Sequence, residues 1–165
     1  MTLRSWSKPV AALAVLLAGG GLAFGVIRLT GDGSDLLLVV RVIDGDTIEL
    51  ENGEIVRYLL IDTPETMHPE KSVECYGPEA SEANRRLTEG QKVRLERDVT
   101  DRDTYGRLLR YVYVDGVLVQ AELVREGYGY VYSRKPDVRH LRDMAALERE
   151  ARERGAGLWA ACNGS

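Results

Sequence analysis

Val42-Ile-Asp-Gly-Asp-Thr-Ile-Glu-Leu-Glu-Asn-Gly-Glu-Ile-Val-Arg-Tyr-Leu-Leu-Ile-Asp-Thr-Pro-Glu-Thr66 decides how the chain is read. Asp44-Gly45-Asp46 is turn chemistry that breaks one apolar, β-branched run from the next. Asn52-Gly53 is a strong hairpin signal, and Ile55 to Ile61 reads as the strand that leaves it. Carboxylates mark both ends of this unit: Asp44 and Asp46 at one turn, Asp62 and Glu65 after the last strand. Arg57 sits inside that strand among apolar residues. On a regular strand Arg57 shares a face with Leu59 and Ile61, where a guanidinium is costly without an anionic partner.

Working outward, Leu36 to Ile43 is a strand before the turn, so residues 36–61 make a three-stranded meander. Thr63 to Tyr76 has no periodicity and reads as a loop. Gly77-Pro78 opens a helix with Glu79 in its first turn, running to about Glu89 and stopped by Gly90. Lys92 to Arg97 and Arg107 to Val114 are two more strands, separated by the charged loop Asp98 to Tyr105. Val119 to Glu126 is a helix, and Tyr128, Tyr130 and Tyr132 form an aromatic run before Pro136. Asp137 to Arg154 is the longest helix, with Leu141, Met144, Ala145 and Ala151 on one stripe, and Trp159 is expected to pack back on the body. The pattern predicts an α+β fold: a five-stranded OB-fold Greek-key β-barrel with three helices, preceded by an N-terminal hydrophobic segment.

That N-terminal segment has 19 uncharged residues between Lys8 and Arg28, preceded by basic residues and free of acids. Residues 1–29 read as a signal peptide or an N-terminal membrane anchor, residues 30–35 as a linker, 36–162 as the domain and 163–165 as a tail. The Arg4 and Lys8 bias would keep the N-terminus inside and place the domain outside the membrane. Two cysteines, Cys75 and Cys162, suit an exported chain, either as a pair or as separate thiols. Paired, they would close most of the domain, worth about 4–5 kcal/mol at most on chain-entropy grounds.

From residue 32 on, the chain carries 19 basic and 26 acidic residues, a balance of −7. Broad electrostatic adhesion to nucleic acid is excluded, so any such contact depends on a local site. His68 and His140 are too few and too far apart for a zinc cluster.

If the strands ending near Asp46 and Asp62 are neighbours, the two carboxylates converge on one barrel rim beside Thr63. Oxygen ligands of this kind suit a hard cation, and two direct carboxylates leave room for water and substrate. Arg57 is either the structural partner of those carboxylates or half of a phosphate clamp. Arg107, at the start of the fifth strand, is the second clamp candidate, and Glu65 is placed to orient or deprotonate a water.

These residues lie in stretches that resemble the thermonuclease family, of which staphylococcal nuclease is the type. The matching segments are 42–47, 57–66, Tyr-Gly-Pro-Glu-Ala-Ser (76–81), Asp-Thr-Tyr-Gly-Arg (103–107) and Gly-Leu-Trp (157–159). The resemblance implies an OB-fold and a Ca²⁺-dependent phosphodiesterase acting on DNA and RNA to leave 3′-phosphates. It implies that Asp46, Asp62 and the Thr63 carbonyl ligate the ion, with Asp44 acting through water. By the same resemblance Glu65 handles the attacking water, Arg57 and Arg107 stabilise the phosphorane-like charge, and Arg107 assists the leaving 5′-oxygen. Tyr105, Tyr130 and Tyr132 match tyrosines bordering the nucleotide pocket. Cys75 and Thr104 stand where the type enzyme has lysines, which weakens the expected hold on substrate. A monomer is expected, tethered to the membrane if residues 10–27 are retained or secreted if they are cleaved. A catalytically inactive, nucleic-acid-binding OB module and an ion-binding domain without nucleic acid substrate are the competing readings.

Overall fold

The structure, a computed structural model, describes residues 36–66 and 72–162. The expected signal or anchor, the linker, His68 and the tail at 163–165 lie outside the described residues. No helix among the described residues is long and apolar enough to cross a membrane.

In chain order the elements are β1 (Leu37–Asp44), β2 (Thr47–Leu50), β3 (Ile55–Tyr58), α1 (Gly77–Thr88), β4 (Lys92–Glu96), β5 (Leu108–Val114), β6 (Val117–Leu118), α2 (Val119–Arg125), α3 (Leu141–Arg154) and α4 (Leu158–Ala161). Strand order is β3-β2-β1-β4-β5-β6, and a parallel pairing of β3 with β5 closes the first five strands into a barrel. The five-stranded OB-type barrel is therefore present, with the two-residue β6 added as a hairpin extension and the one-turn α4 added after the three expected helices. β1 reaches both sides: Val39 to Asp44 pair with β2, while Leu37 and Leu38 pair with β4. Two register irregularities along its β2 edge bend the strand enough to serve both neighbours.

The core follows the alternation of the sequence. Val39, Ile48, Leu50, Val56, Val93 and Val112 fill the barrel, and Leu123 and Met144 seal it from α2 and α3. Each such side chain contributes about 1.5–3 kcal/mol relative to exposure. Asn84, on α1 and fully buried, is the polar member of this packing. Its Nδ2 donates to the Asp44 carbonyl (2.9 Å), and its Oδ1 accepts from the Tyr58 hydroxyl (2.9 Å) and the Thr88 hydroxyl (3.2 Å). One amide thus ties α1 to the turn after β1 and to the end of β3.

Three expectations need correction. The third strand ends at Tyr58, not Ile61, because its ladder to β5 stops there. Leu60 adopts a left-handed backbone (φ 62°), and the chain then pairs elsewhere: Asp62 and Tyr130 exchange N–H···O bonds of 2.9 and 2.8 Å. The alternation that placed Arg57 on a face with Leu59 and Ile61 is broken by this turn, which buries both leucines and Ile61 but leaves Arg57 at a cavity wall. The longest helix starts at Leu141, not Asp137, because the buried Asp137 carboxylate accepts the Val99 and Thr100 amides (2.9 and 2.8 Å). On α3, Ala145 is exposed, while Met144, Ala151 and the half-buried Leu147 face inward.

Candidate active site

Local chemistry shapes the rim where β1 turns into β2. The Asp44 carboxylate accepts the Asp46 N–H (3.0 Å), a tight turn that sends the Asp46 side chain inward, where it is 1% exposed. Asp46 there accepts the Thr47 hydroxyl (3.1 Å), the Thr63 N–H (3.0 Å) and the Thr63 hydroxyl (3.2 Å). Gly45 makes that approach feasible, since a Cβ at this position would lie 2.5 Å from the Thr63 hydroxyl oxygen. Gly129 does the same for the Asp62 bridge, where a Cβ would stand 2.9 Å from the Asp62 carbonyl. Burial pushes the Asp44 carboxyl above its ordinary range, opposed by the Thr47 hydrogen bond and by Arg57 and Arg107.

Arg57 lies between the two carboxylates that the turn and the Asp62 bridge deliver. It is ion-paired with Asp46, and its Nη2 is 2.6 Å from Asp62 Oδ1. Asp62 is half exposed where Asp46 is buried, so one side of the pair faces solvent. Barrel closure places Arg107 nearby: β3 and β5 run parallel with Val56 opposite Leu108, directly after Arg107. Asp103 fixes that arginine, accepting its Nε–H (2.7 Å) and its backbone N–H (3.0 Å). So held, Arg107 lines the same cavity as the carboxylates.

Asp44, Asp46, Arg57, Asp62, Thr63, Pro64, Glu65 and Arg107 together enclose a cavity of about 150 Å³. Glu65 is held through its backbone, its N–H donating to Glu74 Oε2 (2.9 Å) and its carbonyl accepting the Glu74 N–H (2.9 Å). Every residue expected to bind a cation, a water or a phosphate borders this one space.

A match to the family model described as "Staphylococcal nuclease homologue" covers residues 55–161. The chain belongs to the staphylococcal nuclease family. It is 46% identical over 124 residues to the SPbeta prophage-derived endonuclease YokF of Bacillus subtilis (strain 168), covering 72% of this chain and 42% of that protein. It is also 46% identical over 124 residues to endonuclease YncB of the same organism (72% and 59%). To the thermonuclease of Staphylococcus hyicus it is 35% identical over 124 residues (73% and 73%). The chain therefore spans about two-fifths to three-fifths of the two Bacillus relatives.

A second cavity of about 470 Å³ shares Arg57 and Arg107 with the first and is more apolar, walled by Leu60, Leu109 and Tyr132. Of the tyrosines expected around a nucleotide, Tyr132 lines it. Tyr105 is 84% exposed beside Arg107, whose guanidinium carbon is 5.4 Å from its ring centre, and borders neither cavity. Tyr130 meets Trp159 edge-on at 5.2 Å and also lies outside both, which places Trp159 against the body as expected. Cys75 and Cys162 form a disulfide, joining the loop before α1 to the end of α4. Its partners are 87 residues apart, and only the even count announced them.

As a cation site the donors are right in kind. They are hard oxygens, from the Asp44, Asp46 and Asp62 carboxylates that line the cavity. Among the described residues no three acidic, histidine or cysteine side chains converge as a metal cage. These carboxylates and Thr63 are what the chain offers, so substrate and water would supply the remainder.

The residues missed from sequence are the supports. Asn84 carries no signal beyond a polar side chain on the apolar face of α1. Asp103 stands four residues before Arg107, a spacing that signals an ion pair only once the turn is known. Arg102 is bound by both oxygens of Glu54 (2.8 and 2.9 Å) across 48 residues, and it also donates to the Gly106 carbonyl (2.8 Å).

Proposed function

We propose that the chain is an exported, Ca²⁺-dependent nuclease that hydrolyses phosphodiester bonds of DNA and RNA and leaves 3′-phosphates. One observation carries this reading: Arg57 from β3, Arg107 from the loop that leads into β5 and a set of carboxylates meet at one small polar cavity beside a larger, more apolar one. Neither core packing nor surface solubility requires that arrangement, whereas it offers the oxygen ligands, the water-handling carboxylate and the charge donors that in-line displacement at a phosphodiester can use.

Each residue has a part in the displacement. Asp46, Asp62 and the Thr63 oxygen would hold the Ca²⁺, which supplies charge neutralisation for the phosphoryl oxygens when bound. Glu65 orients a water and takes its proton as the water oxygen bonds to phosphorus. Arg57 and Arg107 are permanently charged planar donors, suited to the equatorial oxygens as negative charge accumulates there. The bond from phosphorus to the 5′-oxygen then breaks, with Arg107 donating a hydrogen bond to the leaving oxygen, which takes its proton from solvent water. Tyr132 and the leucines of the larger cavity give a nucleoside an apolar wall.

Export is supported by the uncharged N-terminal run and by the Cys75–Cys162 bridge, which suits an oxidising compartment. Digestion of DNA and RNA by the protein is expected with Ca²⁺ and not with excess chelator. End-group analysis should find 3′-phosphates. If Arg57→Ala and Glu65→Gln proteins cut as fast as the unaltered chain, the enzyme reading is wrong and the inactive binding module takes its place. The mass of the mature protein from its host separates a cleaved signal from a retained anchor.

A further inference from the structure

Two cations that the proposed chemistry does not use border the larger cavity. Arg134 and Lys135 line it, together with Arg57, Arg102 and Arg107. Arg57, Arg102 and Arg107 are all matched to carboxylates. Among the described residues neither Arg134 nor Lys135 has a carboxylate within ion-pair distance. In a domain with a balance of −7, two adjacent cations without carboxylate partners make a local positive patch at the mouth of the cavity, suited to an anion.

The two acids that line this cavity do not serve them. Asp103 is committed to the Arg107 side chain and to the Tyr105 and Arg107 amides. Asp137 is committed to the Val99 and Thr100 amides. The turn itself is held in place, because the Asp137 N–H donates to the Arg134 carbonyl (3.0 Å). Both cations are exposed, so they meet an incoming strand without a rearrangement of the core.

We infer that Arg134 and Lys135 form a second phosphate subsite, which takes the phosphodiester neighbouring the scissile one in a single-stranded polynucleotide. The inference rests on the nuclease reading and deepens it. Arg57 and Arg107 address the phosphate that reacts, the apolar wall takes a nucleoside, and the Arg134–Lys135 turn takes the next charge along the strand. A cavity of about 470 Å³ is large enough for one nucleoside. Substrate binding is then local, as the acidic balance demands.

The test is a coupling between protein and substrate. Binding of a fluorescein-labelled single-stranded oligonucleotide to the full chain carrying Glu65→Gln is followed by anisotropy in Ca²⁺. One phosphate at a time, on either side of the scissile position, is replaced by an uncharged methylphosphonate. At one flanking position the replacement should weaken binding about tenfold. Adding Arg134→Ala and Lys135→Ala should produce a similar loss with the all-phosphate strand and little further loss with the methylphosphonate strand. The salt dependence should flatten by about 0.7 per lost contact. Losses that multiply independently at every position, or a double variant that binds as tightly as its parent, overturn the subsite. So does a parent that binds no oligonucleotide at all. Hydrolysis of the same strand by the unaltered chain reads the nuclease function separately, and success there with no coupling removes the subsite alone.

Discussion

The two halves of the site are held in different ways. The carboxylate half, Asp44 to Glu65, is fixed from within: strand pairing, the buried Asn84 amide and the Thr63 contacts to Asp46 set its geometry. The arginine half is the loop from Asp98 to Arg107, and its side-chain anchors are mainly carboxylates. Asp137 takes the Val99 and Thr100 amides, Asp101 pairs with Arg110, Glu54 with Arg102 and Asp103 with Arg107. Hydrogen bonds from those partners hold Glu54 and Asp101 below their ordinary range, and for Asp103 and Asp137 they outweigh a burial that acts to raise it. Asp44, in the other half, is pushed the opposite way by burial. One half depends on packing and the other on charge, so different perturbations should break them.

The largest effect is expected from the reacting end of the arginine half. Arg107→Ala removes a donor aimed at developing charge and should lower kcat by about 10²–10³. The side chain is partly exposed and covers no core, so the urea midpoint should stay near that of the unaltered protein. Equal losses of activity and stability would place Arg107 in the scaffold instead.

The matching disruption of the carboxylate half is Asn84→Ala. It strands the Tyr58 hydroxyl and the Asp44 carbonyl in the core and should cost about 3 kcal/mol in urea unfolding. Tyr58→Phe in the same chain should return part of that cost, because it removes one of the orphaned groups. A double variant no more stable than the single one would show that the amide acts through volume, not through hydrogen bonds.

The same contrast explains what was legible in the sequence. The meander of β1 to β3, its turns and the carboxylates at their ends follow from alternation and from Asp-Gly and Asn-Gly chemistry, all local signals. The turn at Leu60 was hidden because leucine has no turn chemistry, and the left-handed backbone is imposed by Asp62 pairing with Tyr130, 68 residues later. The start of α3 was hidden for a similar reason, since Asp137 is a good helix-opening residue that is used here to hold Val99 and Thr100. Arg57 and Arg107 were found from chemistry and from family resemblance, but what brings them together is the parallel β3–β5 pairing. A periodic pattern carries no such information about partners.

A subtler break leaves the reacting groups in place and loosens their support. Arg102 holds Glu54 at the start of β3 and the Gly106 carbonyl beside Arg107. It is substantially exposed, so Arg102→Ala should leave the thermal midpoint almost unchanged. Misplacing Arg107 by a fraction of an ångström should still lower kcat about tenfold, with KM little altered. Arg102→Lys should recover less than half of the loss, because an ammonium cannot match both Glu54 oxygens and the carbonyl. An unchanged kcat in Arg102→Ala would mean that Asp103 alone positions the arginine.

The smallest expected effect is also the most direct comparison of the halves. A carboxylate held below its ordinary value stabilises the fold fully above the unfolded value, near 4 for these groups. That stabilisation fades as pH falls through the lower, folded value. Asp103 and Asp137 follow this sign, so acid should release the loop from Asp98 to Arg107 before it releases β1 to β3, whose contacts are mainly backbone and amide. Amide hydrogen exchange read between pH 5 and pH 3, corrected for intrinsic rates, should show Val99, Thr100 and Tyr105 losing protection first, while Ile48 and Val56 keep theirs. Asp137→Asn should show the same early loss already at neutral pH, because an amide side chain accepts the two backbone N–H groups without the charge. If protection falls together in both halves as acid is added, they unfold as one unit, and the division between a packed half and a charged half does not survive.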